Sequence, residues 1–150
     1  LVSIPKAPPQ AAELLEVHVV FAEWNETLSV GDEEIDGQHK WLFFIINRLV
    51  DAIGQDDEER AVVRCMVDME RYALTHFSTE EAYMESLGYP GLAKHRLLHL
   101  GFAEQVESFR EALILGEISA TDVADYLKKW LVTHIQKADG DIARTMGLGG

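Results

Sequence analysis

Four stretches of the chain carry apolar side chains at alternating intervals of four and three residues, the spacing that lines one face of an α-helix. The first, about 36–53, has the seam Ile35, His39, Leu42, Ile46, Leu49 and Ile53. The second, about 59–87, runs Val62, Met66, Met69, Ala73, His76, Glu80, Tyr83 and Leu87. The third, about 92–115, carries Leu92, His95, His99, Phe102, Val106, Phe109 and Leu113, and the fourth, from about 119, carries Ala120, Ala124, Leu127, Leu131, His134 and Ala138. Gly54-Gln55-Asp56-Asp57, Gly88-Tyr89-Pro90-Gly91 and Gly116 separate them with residues that form turns or stop a helix. Ser119, three positions before Asp122, is placed to cap the fourth. Helices of this length on short connections predict an all-α fold, an antiparallel up-down-up-down four-helix bundle.

Outside the seams the pattern is lost. Residues 1–23 read as an N-terminal linker or arm, because three of the four prolines fall in its first half. Its apolar residues Leu14, Leu15, Val17, Val19, Val20 and Phe21 have no clean period and are expected to pack on the bundle. The bundle is expected over 24–142 and a flexible tail over 143–150, with fraying from Gly140. A Pro-rich start at Leu1 rather than Met, and a Gly-rich end, are expected of a piece of a larger chain, with a fused or neighbouring signalling domain as its partner.

The seams are apolar except at six positions: His39, His76, Glu80, His95, His99 and His134. Burying polar groups without partners costs a few kcal/mol each, and unpaired charges cost more. Two pairs, His76 with Glu80 and His95 with His99, are four residues apart and share a helix face. The bundle topology also puts the start of the first and third helices and the end of the second and fourth at one end, so all six share a layer. A single seam histidine is most often a hydrogen-bonded core residue; five on one inward surface point to metal. Asp139, five residues after His134, lies about 140° away around an ideal helix. It reaches the layer only where the fourth helix widens or ends. His18 lies outside the helices and reads as an arm residue. Five imidazoles and two carboxylates exceed the needs of one ion and fit two ions with shared carboxylates, suiting iron, zinc, copper or nickel.

Composition narrows the alternatives. Thirteen basic against twenty-six acidic residues give a formal charge of −13, which argues against nucleic acid or an anionic membrane as a partner. The single cysteine, Cys65, excludes an intramolecular disulfide or a thiolate cluster and reads as a buried small hydrophobe. No apolar run spans a bilayer and no signal-peptide pattern opens the chain, so no membrane insertion and a cytoplasmic address are expected.

With these residues assembled, the chain resembles the hemerythrin family, in particular its bacterial branch. The likeness spans Trp24 to Ile142 and rests on IDGQHK around His39, HFSTEE from His76, GYPGLAKHRLLH to His99 and WLVTHIQKAD ending at Asp139. It implies an oxo- or hydroxo-bridged pair of iron ions, one held by His95, His99 and His134, the other by His39 and His76, with Glu80 and Asp139 bridging. The second ion would be one ligand short, and there the family binds dioxygen. Leu131, which the family pattern sets beside the ligand, and Trp130, Phe43 and Phe77 are candidates for an apolar wall around it. The expected function is reversible dioxygen binding, as carrier, store or sensory domain. The alternatives are a diiron peroxidase or oxidase, and an iron-storing or structural metal domain.

Overall fold

Two of the long helices begin at residues whose side chains supply what the backbone lacks. The computed structural model describes residues 20–147. Helix α1, Glu33–Ala52, starts at Asp32, whose carboxylate accepts the Ile35 N–H at 2.9 Å. Asp36 in its first turn accepts the Val30 N–H at 2.9 Å and the Ser29 hydroxyl at 2.5 Å, fixing the incoming loop. Helix α2, Glu58–Leu87, ends at Gly88, where φ of 66° requires a residue without a Cβ. The Tyr89 N–H then closes onto the Met84 carbonyl at 3.0 Å. Helix α3 spans Leu92–Ile114, and α4, Ala120–His134, is capped by Ser119, which accepts the Asp122 N–H at 3.1 Å.

The fourth helix does not stop at His134. It passes through one π-helical turn, Ile135–Asp139, and resumes as α5, Gly140–Met146. Fraying expected from Gly140 is therefore replaced by helix as far as Met146, and Ile142 is buried against Met84 and Tyr89. The seam also changes register there. Ile135 and Asp139 are buried while Ala138 is only half-buried, because the wider turn rotates the following residues.

Helix α1 packs on α2 and α4, and α2 packs on α3, the neighbour relations of an up-down bundle. Its core is apolar through Leu42, Ile46, Leu49, Met66, Met69, Val106, Val123 and Leu127. Of the expected arm, residues 1–19 lie outside the described residues, as does His18. Where the description begins, the arm is tied down. Ala22 donates to Asn47 Oδ1 and accepts from Asn47 Nδ2, both at 2.8 Å, and the Lys128 ammonium stands 4.6 Å from the Phe21 ring centre. No helix among the described residues is long and apolar enough to cross a membrane.

Candidate metal centre

At one end of the bundle the apolar core gives way to seven polar side chains. His39, His76, Glu80, His95, His99, His134 and Asp139 are all at least 94% buried, with His134 the most open at 6% exposed. They come from α1, α2, α3, α4 and the π turn, the common layer expected from the register. Two donor groups result, His95, His99, His134, Glu80 and Asp139 in one, and His39, His76, Glu80 and Asp139 in the other.

The carboxylates divide their oxygens between the groups. Glu80 Oε1 lies 2.7 Å from His95 Nε2 and 3.4 Å from His99 Nε2, while Oε2 lies 3.1 Å from His76 Nε2 and 3.6 Å from His39 Nε2. Asp139 Oδ1 lies 2.9 Å from His95 and 3.0 Å from His134, and Oδ2 lies 3.1 Å from His39. Each carboxylate therefore spans both groups. One group has five protein donors and the other has four.

Asp139 joins them because of the π turn. On an ideal α-helix its Cα would sit about 140° from His134. The extra residue per turn closes that angle, so His134 and Asp139 face the same point.

The donor atoms fit metal ions better than one another. His134 Nε2 is 3.1 Å from His95 Nε2 and 3.2 Å from His99 Nε2. Nitrogens bound at right angles to one ion, each about 2.1 Å from it, lie about 3.0 Å apart. Neither oxygen of Glu80 or Asp139, nor either ring nitrogen of His39, has a well-formed hydrogen bond, although all are buried. A layer of orphaned acceptors and convergent imidazoles is what cations would satisfy.

Protonation tells the same story. Burial works against a charged His39 and His95, but the Asp139 and Glu80 carboxylates outweigh it and raise both to about 9. His134 is also raised, against its burial, by Asp139. His99 is lowered, chiefly by burial. Burial opposes the charge on Glu80, yet the facing imidazoles hold it well below the ordinary carboxylate range, and Asp139 is lowered despite burial and Glu80. Without metal, protons supply the positive charge that the two carboxylates demand.

Around this layer the aromatic residues take two roles. Phe77 stacks on His99 with centroids 3.9 Å apart, and Trp130 stacks on His134 at 4.4 Å, both beside the five-donor group. Phe77, Trp130 and Leu131 also line a narrow apolar cavity with Leu42, Ile46, Ala73 and Phe102. Phe43 is buried one turn after His39 and is not among the residues lining that cavity. On the outer side, a groove of about 460 Å³ between α3 and α4 reaches Trp130 and His134 past Leu98, Tyr126 and Ala138.

One member of the site escaped the sequence. Gln38 Oε1 accepts a 2.6 Å hydrogen bond from His76 Nδ1, which leaves Nε2 as the ring nitrogen that faces Glu80, 3.1 Å away. Gln38 lies beside the seam rather than on it, so the helical period gave no signal.

Comparison with known proteins agrees with this geometry. Residues 30–145 match the family model described as the hemerythrin HHE cation binding domain. The bacteriohemerythrin of Pseudomonas aeruginosa strain PAO1 is 34% identical over 116 residues, covering 77% of this chain and 75% of its own. That of Clostridium acetobutylicum is 31% identical over 121 residues, covering 77% and 94%, and the myohemerythrin of Theromyzon tessulatum is 30% identical over 117, covering 78% and 87%. A crystal structure of wild-type hemerythrin superposes with a TM-score of 0.76 over 84% of this chain and 98% of that one, a likeness of fold at 23% identity. Bundle, buried donor layer and matched sequence together place the chain in the hemerythrin family.

Proposed function

We propose that the chain binds dioxygen reversibly at two iron ions held by His39, His76, Glu80, His95, His99, His134 and Asp139. The observation that carries this is the unequal division of donors. Both carboxylates face both groups, but three imidazoles stand on one side and two on the other. The pair of irons, when bound, supplies the electrons and the vacant position for dioxygen. The residues do the rest. Glu80 and Asp139 balance charge between the groups, and Gln38 favours the His76 tautomer with its hydrogen on Nδ1. Leu131, Phe77 and Trp130 present an apolar surface that keeps water and its protons from the layer. We assign these three to the wall of the dioxygen pocket on the side of that cavity, and Phe43, buried one turn after His39, to the same wall outside the cavity.

Binding is favoured over peroxidase or oxidase chemistry because no further fully buried proton donor among the described residues stands in the layer. The half-buried Tyr83 and Glu81 stand only at its edge, Tyr83 lining a small cavity with Glu80 and Asp139 and Glu81 Oε1 lying 3.9 Å from His99 Nδ1. Among the described residues, the buried ionisable side chains beyond the seven are Cys65 and Tyr89, and neither touches the layer in any ion pair or hydrogen bond. Service as a carrier or store, or as the oxygen-sensing part of a larger signalling chain, requires the same chemistry.

The direct test is iron content with the visible spectrum of the anaerobically reduced protein, recorded before air, after air and after purging. Two irons per chain with a colour that returns on each exposure is the expected result. A single irreversible oxidation would replace this reading with an enzyme or a redox sensor. Failure to retain iron would leave a structural metal site.

A further inference from the structure

The π turn that delivers Asp139 is a geometry that an uninterrupted α-helix would replace, with the loss of Asp139 from the layer. Three side chains outside the layer are linked to the turn. Arg144, in α5, donates from Nη2 to the Lys137 carbonyl at 3.1 Å and from Nη1 to the Gln136 carbonyl at 3.5 Å, two carbonyls of the π turn itself. Its guanidinium crosses directly over Gly140, where an added Cβ would stand 2.8 Å from Nη1. Arg144 Nη2 is also 3.9 Å from Asp141 Oδ1, and Asp141 Oδ2 accepts the Tyr89 hydroxyl at 2.6 Å.

Tyr89 is itself anchored. It belongs to the turn between α2 and α3, is 8% exposed, and packs with Met84 and Ile142. Its ring folds back over Gly91, where a Cβ would meet Cε1 at 2.7 Å, so only glycine admits it there. The turn that carries Tyr89 joins the helix of Glu80 to the helix of His95 and His99. A continuous strap thus runs from that turn through Asp141 and Arg144 to the backbone two and three residues before Asp139.

We propose that Tyr89, Asp141 and Arg144 are positioning residues that hold the π turn, and through it Asp139, in register with both donor groups. The proposal rests on Asp139 being a ligand. None of the three touches the metal layer, so their effect is transmitted through the backbone of the turn.

The test is titration of the metal-free full chain with cobalt(II), following visible absorption, alongside thermal unfolding of the metal-free form. Y89F removes one hydroxyl, R144A removes the guanidinium, and G140A displaces it while favouring helix. Each is expected to weaken cobalt binding about tenfold to a hundredfold, the usual effect of losing an outer partner of a ligand. G140A should do so without lowering the metal-free melting temperature, which a merely structural role would not produce. D139A is the control: cobalt binding unchanged in D139A would remove Asp139 from the ligand set and the strap with it. Weakened binding in D139A beside unchanged binding in Y89F, R144A and G140A would overturn the strap alone.

Discussion

At the scale of single residues, the centre depends on side chains with no direct access to a metal. His76 can bind a metal through Nε2 only with its ring hydrogen on Nδ1, an arrangement that the Gln38 carbonyl oxygen, which can only accept, favours. Gln38→Leu removes the acceptor at similar size. It is expected to weaken metal binding at the group of His39 and His76 about tenfold to a hundredfold while leaving the group of three histidines nearly unchanged. A two-step metal titration of the variant separates the groups, and equal weakening of both steps would show that Gln38 supports the fold rather than His76. Neither His39 nor His99 has a hydrogen-bond partner on Nδ1 in the structure, although Glu81 Oε1 stands 3.9 Å from that of His99. Their ring orientation is held by packing, with Phe77 flat against His99 and His76 edge-on to His39.

At the scale of elements, each helix contributes a ligand and then, one or two turns further into the bundle, an apolar residue beneath it. Leu42 and Ile46 follow His39, Ala73 and Met69 precede His76, Phe102 follows His99, and Leu131 and Leu127 precede His134, at offsets of three and seven. Those side chains line the narrow cavity, so the period that brings ligands together also lays a dry floor under them. Leu131→Ala enlarges this floor. The loss is expected to cost about 2–5 kcal/mol of stability and to admit water, so that oxidation of the iron-loaded protein in air becomes faster and irreversible. An unchanged rate of colour loss would remove Leu131 from the pocket. The same period made the four helices and six of the seven donors legible in the sequence, since amphipathic spacing is local and the bundle topology then aligns the ends. Asp139 was legible only as a residue in need of a widened or terminated helix, because a π turn has no strong signature in residue type. Gln38 and the strap of Tyr89, Asp141 and Arg144 were not legible at all, being contacts between residues 38, 52 and up to eight positions apart that lie off every seam.

At the scale of the whole molecule, seven buried ionisable groups make stability, metal content and pH one linked system. In the metal-free chain His39 and His95 are raised from 6.5 to about 9 by Asp139 and Glu80, so the folded state binds protons more tightly than the unfolded. Their contribution to stability is complete below about pH 6.5 and is lost as the pH rises through about 9. Glu80 and Asp139 are lowered, so their contribution is present above about pH 4 and is lost as the pH falls further. Metal binding displaces the protons from His39 and His95. Affinity should therefore climb between pH 6.5 and 9 by up to about tenfold per pH unit for each proton released, the span over which the metal-free chain weakens. Melting curves of the metal-free and metal-loaded protein across that span should diverge, the first falling with pH while the loaded form holds. A metal-free melting temperature that stays level or rises from pH 6.5 to 9 would mean that the imidazoles are already neutral in the folded chain. The carboxylates would then accept from neutral rather than charged imidazoles, and metal uptake would release no protons from His39 and His95.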